Sequence, residues 1–253
     1  MTAPLVSFVI GGVQKGGTTA LASFLQRHPG VELPRNKEAH VFDAPDFDPA
    51  WGVGAINTRY LGHFDSVGES VLVGDATPIY LFHPAVVSRI ARYNARMKWI
   101  IILRHPVERA VSQYQMEKAR GDESWPFWPA MLLERWRLRG CMDDFSAGSS
   151  MRCHSYLARG DYARQLDVLY AHFPAEQVLL LQNRDLANKP DQIMRQVWDF
   201  LGLDPLQEVG PYERVFEGGY NRLPRRSFRF KLLSLLMARP MRKARSRYGL
   251  DWK

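Results

Sequence analysis

The sequence predicts an α/β protein with a P-loop-like central parallel sheet and helices on both faces. Three observations predict it. Lys98–Leu103 reads Lys-Trp-Ile-Ile-Ile-Leu, a run without polar alternation, as a strand buried on both faces requires. Short apolar, β-rich runs alternate along the chain with segments of helical spacing. A glycine-rich turn, Gly11 to Gly17, joins the first of these runs to the first helical segment.

The elements follow in order. Leu5–Ile10 reads as a buried strand that stops at Gly11-Gly12. Thr18–Gln26 sets Leu21, Phe24 and Leu25 at helical spacing and ends at His28-Pro29-Gly30. Val71–Val73 is a second short strand, and Pro84–Met97 a helix with proline in its first turn. Lys98–Leu103 is the strongest strand, followed by a helix over Pro106–Lys118. Gly160–Phe173 is a helix, Gln177–Leu181 a strand, and Asp191–Leu201 a helix closed by Gly202. Gly121–Ser155 is less periodic and reads either as an acceptor-side lid at 121–155 or as a loosely packed helical connection. Its Trp125, Phe127 and Trp128 fit core packing more readily than a substrate platform. The expected organisation is one domain over 1–253 with a basic C-terminal tail at 221–253.

Composition narrows the function. With 253 residues, 46% hydrophobic and 24% charged, wholesale disorder is excluded. Cys141 and Cys153 cannot form a disulfide framework and lack His or Cys partners at zinc spacing, so no metal is expected. No apolar run approaches the roughly 20 residues of a membrane-spanning helix. Met1-Thr2-Ala3-Pro4 is unlike a secretory signal, so a cytoplasmic location is expected.

The net charge of +8 is unevenly placed. From Asn221 to Lys253 there are eleven Lys/Arg and one acid, while the rest of the chain carries a net −2. That distribution argues against a basic nucleic-acid groove and for an anion met locally. Within the tail, Phe228, Phe230, Leu232, Leu233, Leu235, Leu236 and Met237 interleave with Arg229 and Lys231. They predict an amphipathic helix and then a broken basic end after Pro240. This tail is expected either to touch the inner membrane surface or an anionic acceptor, or to be a solvated face.

The glycine-rich segment carries the chemistry. A glycine turn feeding a helix N-terminus offers free backbone N–H groups and the positive end of a dipole, an anion cradle. Gly12 and Gly17 keep the Walker A spacing and Thr19 its final hydroxyl, but Thr18 stands at the lysine position and Lys15 lies three residues upstream. Lys15, Gly16, Gly17, Thr18 and Thr19 are the candidate cradle. A magnesium nucleotide site also needs an acid after a strand; Arg104 follows the best strand, which leaves Asp75 and a P-loop kinase or NTPase as the alternative. A second anion site is read at Leu103–Tyr114. Arg104 stands there at a strand end and Ser112 two helical turns on, a fork and a hydroxyl suited to a phosphate monoester.

Together these segments resemble the sulfotransferases that use 3′-phosphoadenosine 5′-phosphosulfate (PAPS), in the branch related to heparan sulfate N- and O-sulfotransferases and their bacterial relatives. Lys15-Gly16-Gly17-Thr18-Thr19 is similar to that family's 5′-phosphosulfate loop, and Arg104 through Tyr114 to its 3′-phosphate motif. Lys37-Glu38-Ala39-His40-Val41-Phe42-Asp43 resembles its K-E-x-H-F-F segment, and Gly74 through Tyr80 its G-E-x-[ST]-P-x-Y segment. Arg159-Gly160-Asp161-Tyr162 resembles it as well, and Asn221 through Ser227 is similar to the N-x-x-P-R-S tail of bacterial members. The likeness covers roughly residues 5 to 205. Ala76 stands where some glycosaminoglycan enzymes have a lysine, which argues against a glycosaminoglycan acceptor, and Asp75 replaces the usual glutamate.

The resemblance implies in-line sulfuryl transfer from PAPS to a hydroxyl or amine of a carbohydrate, glycolipid or small-metabolite acceptor, with 3′,5′-adenosine bisphosphate as product and no metal. Lys15 with the loop amides would stabilise the leaving phosphate, and Glu38 would be the base, with His40 its competitor. Arg104 and Ser112 would hold the 3′-phosphate. Tyr162 would join the donor site, and Arg222, Arg225 and Arg226 would close over the donor phosphates. The non-enzymatic alternative is a nucleotide- or membrane-binding module using the basic tail.

Overall fold

The computed structural model describes residues 4–65, 67–68, 71–206, 211–212 and 223–252. In chain order the elements are β1 (Phe8–Gly12), α1 (Thr18–Leu25), β2 (Val31–Glu32), α2 (Val53–Leu61), β3 (Leu72–Asp75), α3 (Pro84–Tyr93) and β4 (Lys98–Leu103). There follow α4 (Pro106–Arg120), α5 (Phe127–Leu132), α6 (Glu134–Arg137), α7 (Ser150–Cys153) and α8 (Tyr162–His172). The last are β5 (Val178–Gln182), α9 (Asn183–Asn188), α10 (Pro190–Leu201), α11 (Phe228–Leu236) and α12 (Ala238–Tyr248). The chain divides into two compact units, Met1–Arg104 with Val168–Glu217, and His105–Asp167 with Gly218–Lys253.

The first unit is built on a five-stranded sheet of order β2-β3-β1-β4-β5, in which every pairing is parallel. Strand β4 is flanked by β1 and β5, and its last five residues are buried, as its unbroken apolar run requires. Phe8, Ile10, Ile100, Ile102 and Leu181 pack with Leu21, Phe24 and Leu25 of α1 and with Ile193, Met194, Val197 and Trp198 of α10. Trp99, which faces the other way along β4 from Ile100, packs against Phe173 with ring centroids 5.5 Å apart. Strand β1 runs further than its apolar letters suggest, because Gly12 pairs with Ile101 past an irregularity after Ile10. Helix α3 stops earlier than its spacing suggests. Asn94 turns to an extended backbone, its Nδ2 donates to the Val6 carbonyl and its Oδ1 accepts from the Arg96 amide.

The second unit is helical. Its core gathers Val107, Ala110 and Val111 of α4, Ala130 and Met131 of α5, Tyr156, and Phe230, Leu233 and Met237 from α11 and the residue after it. Residues 121–155 contain the three short helices α5 to α7, held by two buried glutamates. Glu123 accepts from the Arg137 guanidinium, the Tyr156 hydroxyl and the Trp125 amide. Glu134 accepts from the amides of Leu157 and Ala158, and burial pushes its carboxyl up to about 7 against those bonds. Trp125, Phe127 and Trp128 are half-buried against this core, the packing role their composition suggests.

The expectation of a broken end after Pro240 is corrected. The chain is helical through Tyr248, because Pro240 falls in the first turn of α12, where its missing N–H leaves no helical hydrogen bond unmade. Among the described residues, no helix is long and apolar enough to cross a membrane.

Candidate functional site

The loop after β1 lies at the carboxyl edge of the sheet, where open α/β sheets bind ligands. Its course is fixed by main-chain bonds: the Val13 amide donates to the Ile102 carbonyl at 3.0 Å, and the Gly16 amide to the Val13 carbonyl at 2.8 Å. The two glycines are required by space. A Cβ on Gly16 would lie 2.5 Å from the Ile102 oxygen and 2.7 Å from that of Val13. Gly17 has φ +107°, and a Cβ there would lie 2.6 Å from Asn183 Nδ2. Gly17 is also the N-cap of α1 and supplies no side-chain acceptor to the first turn. The helix therefore begins with its dipole end uncapped by a side chain, next to a cation, Lys15, held in the left-handed region at φ 66°. Arg104 Nη1 donates to the Lys15 carbonyl at 3.3 Å, so this arginine supports the loop. Thr18 is buried at the helix start and Thr19 exposed.

The segment Lys37–Asp43 meets this loop. Lys37 Nζ lies 3.5 Å from Thr19 Oγ1 and 2.5 Å from Glu38 Oε1. Glu38 Oε2 lies 3.1 Å from His40 Nε2, and His40 Nδ1 is 2.9 Å from Oδ2 of the buried Asp43. Burial acts to raise the Glu38 carboxyl, but the His40 bond and the Lys37 charge outweigh it and hold it below the ordinary carboxylate range. Burial acts to lower His40, and the bonds from Asp43 and Glu38 overcome it, pushing the imidazole up to about 9. At neutral pH Glu38 is therefore a carboxylate and His40 an imidazolium.

Residues far away in sequence hold this row in place. The Lys37 carbonyl accepts from the Ala76 amide, and the Ala39 amide donates to Asp75 Oδ1 at 3.1 Å. Thr77 Oγ1 accepts from the His40 amide and donates to Asp75 Oδ1 at 2.7 Å. The Tyr60 hydroxyl donates to Asp75 Oδ2 at 3.0 Å, and the Tyr80 hydroxyl accepts from the Val41 amide at 3.0 Å. Asp75, Thr77, Tyr60 and Tyr80 are fully buried. Asp75 is thus committed on both oxygens to the chain itself, and burial raises its carboxyl despite those bonds. Its alternative reading as a magnesium acid does not fit this arrangement.

The other sequence-selected residues lie in the second unit. Ser112 is half-buried on α4. Tyr162 is fully buried at the start of α8, with its ring 5.5 Å from that of Trp252. Arg225 binds Glu108 through both Nε and Nη2 at 2.9 Å, and Arg226 is exposed beside it. Arg222 lies outside the described residues. The structure thus brings together Lys15, Gly16, Gly17, Thr18, Thr19, Glu38, His40 and Arg104 within the first unit.

Sequence reading gave no role to Lys37, Asp43, Thr77, Tyr60, Tyr80 or Asn183. Lys37 and Asp43 bracket the Glu38/His40 motif and were visible in it. Nothing in the local sequence marks Tyr60 or Asn183 as partners of residues so distant in the chain.

Comparison with known proteins agrees with this geometry. A family model described as a sulfotransferase domain matches residues 6–212. Heparan sulfate glucosamine 3-O-sulfotransferase 3A1 of Mus musculus is 32% identical over 196 residues, covering 77% of this chain and 45% of that protein. The bifunctional heparan sulfate N-deacetylase/N-sulfotransferase 2 of Homo sapiens is 27% identical, covering 79% of this chain and 22% of that protein. The chain therefore spans less than half the length of these two relatives. A solved sulfotransferase from Alicyclobacillus acidocaldarius superposes with a TM-score of 0.78 at 27% identity, with 98% of each chain covered.

Proposed function

Because the chain belongs to the sulfotransferase family, we propose that it moves the sulfuryl group of PAPS to a hydroxyl or amine of an acceptor. The observation that carries this reading is the meeting of the glycine cradle at Lys15–Thr19 with the ionised Glu38 through a single side chain, Lys37. The cradle has the chemistry of the donor's 5′-phosphosulfate: Gly16 and Gly17 let the loop pack tightly against Ile102, Val13 and Asn183, the start of α1 presents amides with no side-chain cap, and Lys15 supplies charge.

In the transfer, the acceptor oxygen or nitrogen bonds to sulfur as the bond from sulfur to the phosphate oxygen breaks. Lys15 and the amides of Gly17 and Thr18 take up the charge that grows on the leaving phosphate oxygen, whereas the Gly16 amide, expected to join them, is spent on the Val13 carbonyl and shapes the loop. Glu38 takes the acceptor's proton. His40 is bonded through both ring nitrogens and stays an imidazolium to about pH 9, so it orients Glu38 and does not compete as a base. Lys37 adjusts the base. An anion in the cradle competes with Glu38 for its ammonium, and movement of Nζ toward the loop raises the basicity of the freed carboxylate. Arg104, and on motif resemblance Ser112, Tyr162, Arg225 and Arg226, are assigned to the donor nucleotide. No step in this scheme calls on a metal.

The relatives named for heparan sulfate glucosamine support a carbohydrate acceptor. Ala76, fully buried, offers no amine at the position where some glycosaminoglycan enzymes carry a lysine, which favours a glycan of lower charge or a glycolipid.

The test is ligand-induced thermal stabilisation followed by turnover. Excess 3′,5′-adenosine bisphosphate in the presence of a chelator is expected to raise the melting temperature, by about 2.7 kcal/mol of stabilisation at a hundredfold over Kd. Stabilisation by magnesium ATP alone would overturn the reading in favour of a kinase. Incubation of labelled PAPS with candidate glycans and glycolipids then identifies the acceptor.

A further inference from the structure

We propose that the outward face of α11, together with α12, is a peripheral binding surface for anionic lipid bilayers. Helix α11 is apolar on two opposite sides. At 3.6 residues per turn, Phe230 and Leu233, followed by Met237, point one way, and these three are buried in the helical core. Phe228, Leu232, Leu235 and Leu236 fall on the other side. There Phe228 is 76% exposed, Leu235 71% and Leu236 44%. An apolar stripe of this kind, rimmed by polar residues, marks an interaction surface, because isolated packing within one chain does not require it.

The rim gives the partner's charge. Arg229 borders the stripe on one side and Lys231 on the other. Helix α12 exposes Arg239, Arg242, Lys243 and Arg245, and neither helix contains an acidic residue. Arg247 is paired with Asp167, and Lys243 lies in the field of the same carboxylate. Among the described residues, Arg229, Lys231, Arg239, Arg242 and Arg245 have no ion-pair partner.

The pair of helices is fixed to its own unit, so this face is presented and not loose. Ser227 Oγ caps α11 by accepting from the Phe230 amide, and the Phe230 ring lies 5.2 Å from that of His105. Tyr248 donates to Asp167 at 2.6 Å, and Trp252 packs on Tyr162. A preformed face loses little freedom on binding.

Apolar stripe and cationic rim together select one occupant. A second copy of the chain would bring two uncompensated positive rims together. A nucleic acid would match the cations and leave Phe228, Leu235 and Leu236 in water. An anionic bilayer accepts the stripe at its acyl boundary and the rim at its headgroups. The helices lie on such a surface, since none is long enough to span it.

The test is sedimentation of the full chain with phosphatidylcholine vesicles with and without phosphatidylglycerol. Binding is expected only with phosphatidylglycerol, and is expected to weaken steeply with salt. Each cation near the surface multiplies partitioning by about fivefold, so the double variant Arg239→Gln/Arg242→Gln should bind at least about tenfold more weakly. Leu235→Ser should also bind more weakly while melting like the unaltered chain, because Leu235 is exposed. Phe228→Trp should show blue-shifted emission on the anionic vesicles. Equal binding to neutral vesicles, unchanged binding of Leu235→Ser, or a lipid-independent dimer that Leu235→Ser dissolves would each overturn the proposal.

Discussion

The loop after β1 and the segment Lys37–Asp43 both hold non-glycine residues at positive φ: Lys15 at 66° in the first, Lys37 at 66° and His40 at 53° in the second. They do so by different means. The loop is held chiefly by main-chain bonds and missing side chains, with amides bonded to Ile102 and Val13, a Gly16 whose Cβ would strike a carbonyl, a Gly17 whose Cβ would strike Asn183, and one side-chain bond from Arg104 to the Lys15 carbonyl. The segment is held by other residues' side chains, through Asp75, Thr77 and Tyr80, and by its own row of alternating charge. A cradle made of backbone offers an anion fixed dipoles whatever the pH. A base set in a charged row has a strength that depends on every neighbour's protonation. The two halves of the proposed reaction should therefore fail differently.

The largest effect is expected where the charged row meets the acceptor. Glu38→Gln keeps size and polarity and removes the base, so kcat should fall by about 10²–10⁴. Binding of 3′,5′-adenosine bisphosphate should be nearly unchanged, and joint loss of both would show that the two regions are not separable. Lys15→Ala should lower kcat by about 10²–10³ through loss of charge on the leaving oxygen, and should also weaken nucleotide binding. Turnover at the unaltered rate would remove Lys15 from the proposed chemistry.

Asp75→Ala tests the scaffold of the segment. It takes the acceptor from the Ala39 amide and the Thr77 hydroxyl and leaves the Tyr60 hydroxyl only its longer contact with Tyr80, at about 1–3 kcal/mol for each buried group left unpaired. Urea unfolding should show that loss, whereas nucleotide affinity per folded molecule should change little.

The smallest effect is in the pH dependence of stability. His40 is raised to about 9, so its contribution is whole below about 6.5, its ordinary value, and fades as pH rises through 9. Glu38 is lowered, so its contribution is present above its ordinary value near 4.5 and is lost on further acidification. The melting temperature should decline by a few degrees at most between pH 7 and 9.5, and His40→Gln should flatten that decline. An identical decline in the variant would place the titrating group elsewhere.

The same contrast explains what was legible in the sequence. The cradle was readable because its determinants are local: an apolar strand, glycines at fixed spacing and a helix with Leu21, Phe24 and Leu25 in phase. Strand β4 was readable to the residue because burial on both faces leaves an unbroken run. Glu38 and His40 were visible through their motif. Asp75, Thr77 and Tyr80 stood in a second motif, but their role in fixing that geometry was not legible, nor was Tyr60, because Tyr60 reaches Asp75, and Thr77 reaches the His40 amide, only after the chain has folded. The tail was misread after Pro240 because proline reads as a breaker unless its position in the first turn of a helix is known.

One detail of α1 has a kinetic signature. Gly17 lends no side chain to the first turn, so the amides of Thr18, Thr19 and Ala20 lack the acceptor that a Ser or Asp would have supplied, a contact that elsewhere contributes about 1 kcal/mol. A bound oxyanion is chemically that acceptor. Ligation then adds to the stability of a helical turn that is already formed, and occupancy of the cradle should be readable, without any catalytic assay, as slowed deuterium uptake at three consecutive amides.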